Sequence, residues 1–268
     1  MYRVEIAKAL HRWRTWLLMA ALAAIPLVMV IAIKVSPPQP QSSQDAPPFL
    51  SQISTSGLYA ALTALAVVQP FFLPLATGLF AGDAIAGEAQ AGTLRYLLLR
   101  PVRRSRLVLA KYASAMSLLG LLVVVTMVTG VIAGGVAFGL KAMPTLSGTT
   151  LSVGEGLFRI AGVGVYMVAV MSGIACIGLA ISTRTDSGPG AAVATIVIAI
   201  ASQILGQIPS LHAIHRFLPT YGWLEFTGLF RFPVDWSGMR AGLIVSATYS
   251  AVFIVVALLG FRRRDVTS

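Results

Sequence analysis

The sequence predicts an all-α integral membrane protein with six transmembrane helices, and three observations carry that prediction. Apolar residues make up 57% of the 268-residue chain and charged residues 11%, where a soluble domain carries about 25% charged residues. Six runs of membrane-spanning length, residues 15–33, 57–81, 112–140, 160–183, 189–208 and 241–261, hold no Asp, Glu, Lys or Arg. A span needs about 20 predominantly apolar residues, because a helix rises about 1.5 Å per residue through about 30 Å of hydrocarbon. The basic residues, finally, are divided unequally between the two sets of connections.

Lipid cannot hydrogen-bond a backbone, so these runs are helices; the short alternating segments of a membrane β-barrel are absent. The chain reads as a single transmembrane domain, 1–268. With both termini on one side, fourteen of the twenty Lys and Arg residues fall on that side, in the N-terminal arm, the 82–111 loop, the 184–188 turn and the tail. The positive-inside rule places that side in the cytoplasm. The net charge of +11 therefore reads as topology and contact with anionic membrane lipids; no basic patch is interleaved with base-stacking aromatics, so no nucleic-acid partner is expected.

In chain order, the arm at 1–14 carries Arg3, Lys8, Arg12 and Arg14, with Val4, Ala7, Leu10 and Trp13 at helical spacing. This pattern predicts an amphipathic helix on the inner surface. The apolar run that follows is longer than a signal-peptide core and has no clear cleavage site, so it reads as a retained span. The outer loop 34–56, with SPPQPQSSQDAPP at its centre, reads as an irregular connector. Pro70 and Pro74 should distort the second span, each removing a backbone donor. In the third, Gly130/Gly134 and Gly135/Gly139 form two GxxxG pairs, read as close helix packing. The outer segment 209–239 carries Phe217, Tyr221, Trp223, Phe226, Phe230, Phe232 and Trp236; short interfacial helices and an ordinary aromatic belt are both compatible with it.

The longest cytoplasmic connection, 82–111, is GDAIAGEAQAGTLRYLLLRPVRRSRLVLAK. Ala91, Leu94, Leu97 and Leu98 share one helical face, and Glu88 and Arg95 lie two turns apart on nearly the same side. A short amphipathic helix is expected, broken by Pro101, with Lys111 snorkelling at the mouth of the third span. Within the second and fifth spans the polar residues are Gln69, Thr77, Gln203 and Gln207. Side chains of this kind face protein or a water-filled path, so a substrate path and interhelical hydrogen bonds both stay open.

The catalytic motifs are missing. There is no GxxxxGK[ST] loop to cradle ATP phosphates, no HExxH, no CxxC and no GxSxG, so no catalytic residue is assigned. Cys176 reads as a packed small hydrophobe. His212 and His215 lack the further ligands a metal requires, and no cofactor or metal is expected on this chain.

The 82–111 loop resembles that of the membrane subunits of the ABC-2-type exporter family. The family's pattern is an acidic residue, a Glu before Gly-Thr-Leu, a leucine run, Arg-Pro, a basic cluster and a Lys. Here these places are filled by Asp83, Glu88, Gly92-Thr93-Leu94, Leu97-Leu98-Leu99, Arg100-Pro101, Arg103 with Arg106, and Lys111. The six-span layout, the amphipathic arm, the long outer segment before span six and the Phe261-Arg262-Arg263-Arg264-Asp265 ending agree with it.

The resemblance implies a coupling helix in this loop that docks into a cleft of a separate ATP-hydrolysing subunit. That partner would carry the ATP and magnesium, and a second permease copy or paralogue would complete the complex. Asp83, Glu88, Gly92, Thr93, Leu94, Arg95, Leu98, Arg100, Pro101, Arg103 and Arg106 become the ATPase-coupling candidates. Glu88 has an alternative role as a carboxylate complementing a helix dipole. The expected function is the permease subunit of a bacterial ATP-driven exporter in the cytoplasmic membrane. The alternatives are a secondary carrier, against which the lack of a charge inside the spans argues, and a non-transporting membrane scaffold.

Overall fold

The computed structural model describes residues 2–36, 49–93 and 103–263. Its helices are α1 (Tyr2–Leu10), α2 (Trp13–Val35), α3 (Leu58–Thr77), α4 (Asp83–Gln90), α5 (Arg104–Phe138), α6 (Val153–Ser182), α7 (Gly188–Gly206), α8 (His212–His215) and α9 (Ser237–Arg263). Among the described residues, six helices are long and apolar enough to cross a membrane: α2, α3 continued by α4, α5, α6, α7 and α9. The expected spans are all present, but several helices start earlier than hydropathy alone suggests.

The reason is local. The fourth helix starts at Val153 rather than 160 because Ser152 and Glu155 form a capping box: the Glu155 amide donates to Ser152 Oγ, and the Ser152 amide donates to Glu155 Oε2 at 3.0 Å. Two orphan donors are thereby satisfied and the helix is nucleated a full two turns before the apolar run. The fifth starts at Gly188 because Ser187 Oγ accepts from Gly190 N, with Pro189 in the first turn, a position where its missing N–H costs nothing. The third starts at Arg104, so Lys111 lies two turns inside it.

α3 and α6 are the most enclosed spans and α9 the least. α3 packs against α5 through small residues on both sides. A Cβ at Gly130 would come within 2.6 Å of Ala61 Cα, and one at Gly134 would collide with the Gly57 carbonyl. Lipid tails are as apolar as leucine, so helices associate through close packing of this kind. Gly130/Gly134 is thus an intramolecular packing face. Gly135/Gly139 is not a matching pair: Gly139, at φ 80°, terminates α5. α6 and α9 pack together, with Ser246 Oγ accepting from Gly173 N at 3.2 Å and Ser172 and Ser250 hydroxyls 2.9 Å apart.

At the end of the bundle remote from α1 lies a lid that hydropathy did not reveal. Strands β1 (Met143–Pro144) and β2 (Thr150–Leu151) form an antiparallel hairpin, pairing Met143 with Leu151. Tyr59 Oη donates to the Pro144 carbonyl, and Leu146 N donates to Phe230 O at 2.9 Å. The aromatics of 209–239 divide: Trp223, Phe226 and Phe230 are buried in the core, while Phe217, Phe232 and Trp236 are exposed. Short helical turns do occur there, at Pro209–Leu211, His212–His215 and Glu225–Phe230. Of the 34–56 connector, residues 37–48 lie outside the described residues.

Candidate functional site

The second span does not stop at its apolar edge. Five residues, Gly78–Gly82, form a π-helical turn that carries α3 into α4. Such turns are wider than an α-helix and recur at functional sites. The glycines at its ends allow contact with α7: a Cβ at Gly82 would lie 2.8 Å from Ala192 Cα, and one at Gly78 2.8 Å from the Ala192 carbonyl oxygen. Past the turn, Ser182 Oγ, at the end of α6, accepts from the amides of Ile85 and Ala86 at 3.0 and 2.9 Å. Gln90 Oε1 accepts from Gly188 N at 3.1 Å, tying α4 to the start of α7.

Charges fasten the other side of α4. Glu88 Oε1 accepts from Lys111 Nζ at 2.5 Å and from Lys8 Nζ at 2.9 Å, and Lys111 also donates to Glu5 Oε2 at 2.6 Å. Arg12 reaches Asp83 at 3.3 Å. Glu88 and Lys111 are 4% and 5% exposed. Burying an ion pair is expensive, and removing one partner from such a pair costs about 3–5 kcal/mol because the other is stranded. Lys8 is half-exposed, so its contact contributes at most about 1 kcal/mol.

Lys111 therefore does not snorkel, as the sequence suggested; it turns inward and holds α1, α4 and α5 together. α1 is a short helix within the arm. It ends at Leu10, where Thr15 and Trp16 donate to the Ala9 and Leu10 carbonyls at 2.7 Å, while Val4 and Trp13 are exposed. The half-buried side of α1 carries Glu5, Ile6, Ala9 and Leu10.

α4 closes at a Schellman motif. Gly92 has φ 67°, its amide donates to Ala89 O, and the Thr93 amide donates to Glu88 O, both at 3.0 Å. This is the pattern of a glycine one residue past a helix cap. No atom lies within 4 Å of a Cβ built at Gly92, so the backbone angle, and not space, calls for glycine there. The helix bearing Glu88 stops at Gln90, with Ala91 as its cap; Leu94, Leu97 and Leu98, expected to share a helical face with Ala91, lie outside the described residues.

Of the coupling candidates, Asp83 and Glu88 are thus drawn into the protein, and Gly92 and Thr93 are exposed at the stop of α4. Arg103 precedes α5 and, like Arg106, is exposed. Leu94, Arg95, Leu98, Arg100 and Pro101 lie outside the described residues. Sequence reasoning missed two participants. Glu5, the one acid among the basic residues of the arm, was a readable signal. Arg104 was not: its Nη1 donates to the Phe261 and Arg262 carbonyls at 3.0 Å, capping the C-terminal turn of α9, where a cation also meets the negative end of the dipole.

The span polar residues separate into two groups. Gln69, Gln203 and Gln207 line one cleft of about 310 Å³ together with residues of the 215–225 segment. Thr77 is not among the lining residues and donates to its own helix at Leu73 O, 2.7 Å away. Gln203 Nε2 donates to Pro70 O at 2.5 Å. That carbonyl would ordinarily accept from residue 74, which is proline and has no N–H; the fifth span supplies the donor that the second lacks. Gln69, fully buried, has neither amide atom paired, and Trp223 Nε1 is likewise without a partner.

A family model described as ABC-2 family transporter protein matches residues 1–266. A stretch of 74 residues is 35% identical to the "Probable ABC transporter permease protein NosY" of Stutzerimonas stutzeri; it covers 28% of this chain and 27% of that protein.

Proposed function

The chain belongs to the ABC-2 family of transporter proteins, and on that footing we propose that it is the permease subunit of an ATP-driven exporter in a bacterial cytoplasmic membrane. An even number of candidate spans and the concentration of Lys and Arg in the connections on the side of the termini support a cytoplasmic location for both ends. A separate ATPase subunit, holding ATP and magnesium, docks on the 82–111 loop, and a second permease copy or paralogue completes the translocating unit. The partial likeness to a protein titled as an ABC transporter permease supports this reading.

One observation carries the mechanism: α4, which precedes residues 94–102, is attached to α1, α5, α6 and α7 by polar contacts. Glu88 joins it to Lys8 on α1 and Lys111 on α5; Ser182 joins it to α6 and Gln90 to α7. Moving a two-state equilibrium from 1:99 to 99:1 takes about 5.5 kcal/mol, so a displacement imposed by the ATPase must reach several spans without slack. On this reading Glu88 and Asp83 are positioning residues that make α4 rigid with the bundle. Exposed Thr93, Arg103 and Arg106, with Arg95 and Arg100 between them, meet the ATPase. The substrate passes beside Gln69, Gln203 and Gln207.

The test is gentle purification of the tagged chain from its native membrane, with a photocrosslinker at Thr93. Capture of a P-loop ATPase in near-equal amount, crosslinked from Thr93, supports the assignment. Its absence from both the purified complex and the crosslinked products overturns it in favour of a carrier or scaffold.

A further inference from the structure

The cleft beside α3 and α7 has a chemical signature of its own. Gln69 lies eleven residues into α3, roughly 17 Å along the helix from Leu58, so the cleft reaches the middle part of that span. Some of its polar lining is already satisfied: Gln203 donates to Pro70 O, and Thr220 pairs with Ser202 at 2.7 Å. Two lining residues hold unpaired polar atoms enclosed just behind the cleft: the Gln69 carboxamide, with both nitrogen and oxygen unpaired, and the indole N–H of Trp223. Glu225 is the one Asp, Glu, Lys or Arg among the lining residues.

We propose that this cleft binds the amide group of a neutral or cationic ligand, a peptide bond or a carboxamide. The donor and acceptor inventory fits this class, and a lone hydroxyl, with one oxygen, does not reach both ends of the carboxamide and the indole together. Two donors, Gln69 Nε2 and Trp223 Nε1, require acceptor oxygens, and Gln69 Oε1 requires an N–H. A carboxylate supplies acceptors alone, leaves Gln69 Oε1 unpaired and meets Glu225. An amine supplies donors alone and leaves the indole unpaired. An amide carries both. The Gln69 carboxamide pairs through two antiparallel hydrogen bonds with a primary carboxamide, or with the N–H and C=O of one residue of a peptide, since a single trans peptide bond points its two groups apart; both this pairing and that of the Trp223 N–H follow a turn of the enclosed side chains toward the open part of the cleft. Unpaired polar groups in a lipid-embedded bundle have no water to fall back on, so a ligand that completes them is strongly preferred over one that does not.

The proposal deepens the substrate-path part of the reading above; its test uses no ATPase or nucleotide, so failure here and failure of coupling register separately. The full chain in lipid nanodiscs is titrated calorimetrically with N-acetyl-leucinamide, with N-acetyl-tetraalanine amide and with N-acetyl-leucinate. Saturable binding of both amides, with the carboxylate at least tenfold weaker, supports a small-amide site; binding of the tetrapeptide alone supports entry of a peptide strand. In either case Gln69→Leu weakens binding at least tenfold, and Trp223→Phe, which keeps the ring and removes the N–H, weakens it several-fold. The proposal is overturned if neither amide binds saturably, if the carboxylate binds as well as the amides, or if both variants bind like the wild type.

Discussion

Lys111 Nζ, two turns into α5, lies 2.5 Å from Glu88 Oε1, at the end of α4, and both side chains are buried. The pair joins the two helices that flank the proposed docking loop. Because the contact is enclosed, its partners are interdependent. Lys111→Met removes the buried cation that Glu88 and Glu5 share, leaves Glu88 only the half-exposed Lys8, and is expected to lower stability by up to about 3–5 kcal/mol. Glu88→Gln combined with Lys111→Met removes the two most buried charges, leaves Glu5 and Lys8 on the more accessible α1, and recovers part of that loss, since a well-packed neutral pair is often no less stable than a buried ionic one. Thermal unfolding of the three variants in nanodiscs measures the difference.

A second cycle concerns Gln203 and the prolines of α3. Gln203→Leu leaves the Pro70 carbonyl without a donor at membrane depth, at a cost of about 1–3 kcal/mol. Pro74→Ala restores the backbone N–H that ordinarily serves that carbonyl. Gln203→Leu with Pro74→Ala is therefore expected to be more stable than Gln203→Leu alone. Equal unfolding temperatures for these two variants would show that the carbonyl finds another partner.

Gly92 supplies a third prediction. Gly92→Ala forces a side chain into the left-handed region, at about 1–2 kcal/mol, and favours continuation of α4 past its stop. Faster hydrogen exchange at the Thr93 amide, which now donates to Glu88 O, is the expected signature. No steric change accompanies the substitution, because the position is open.

Close packing of α3 on α5 gives a fourth. Gly134→Val places a branched side chain against the Gly57 carbonyl, and overpacking of this kind costs about 1–3 kcal/mol or more. A reduced yield of folded protein by size-exclusion profile is expected, whereas Gly154→Val, where a Cβ meets open space, is expected to leave the profile unchanged.

The spans were legible because lipid imposes one requirement, a long uncharged helix, that hydropathy reports directly. Their edges were less so. Residues 153–159 join α6 through the Ser152–Glu155 capping box, whose S-x-x-E spacing was present in the sequence but lies outside the apolar run. Glu88 stood out by its place in a motif, yet its role turned inward because Lys111 and Glu5 arrive from segments 23 and 106 residues from their partners. The grouping of Gln69 with Gln203 depends on α3 lying beside α7, and the Gln203–Pro70 contact spans 133 residues of sequence. Only the three-dimensional arrangement separates that pair from Thr77, which bonds within its own helix.

The central claim is that the buried contacts of α4 transmit the work of a partner ATPase. The measurement that tests it most directly is ATP hydrolysis by the ATPase alone and by the assembled complex, with wild-type chain and with the stable Glu88→Gln/Lys111→Met variant. The variant is expected to assemble with the ATPase in equal amount, while the change in hydrolysis rate that the membrane subunit imposes falls at least fivefold. An assembled variant complex with wild-type hydrolysis would contradict it, and would move the coupling path away from α4.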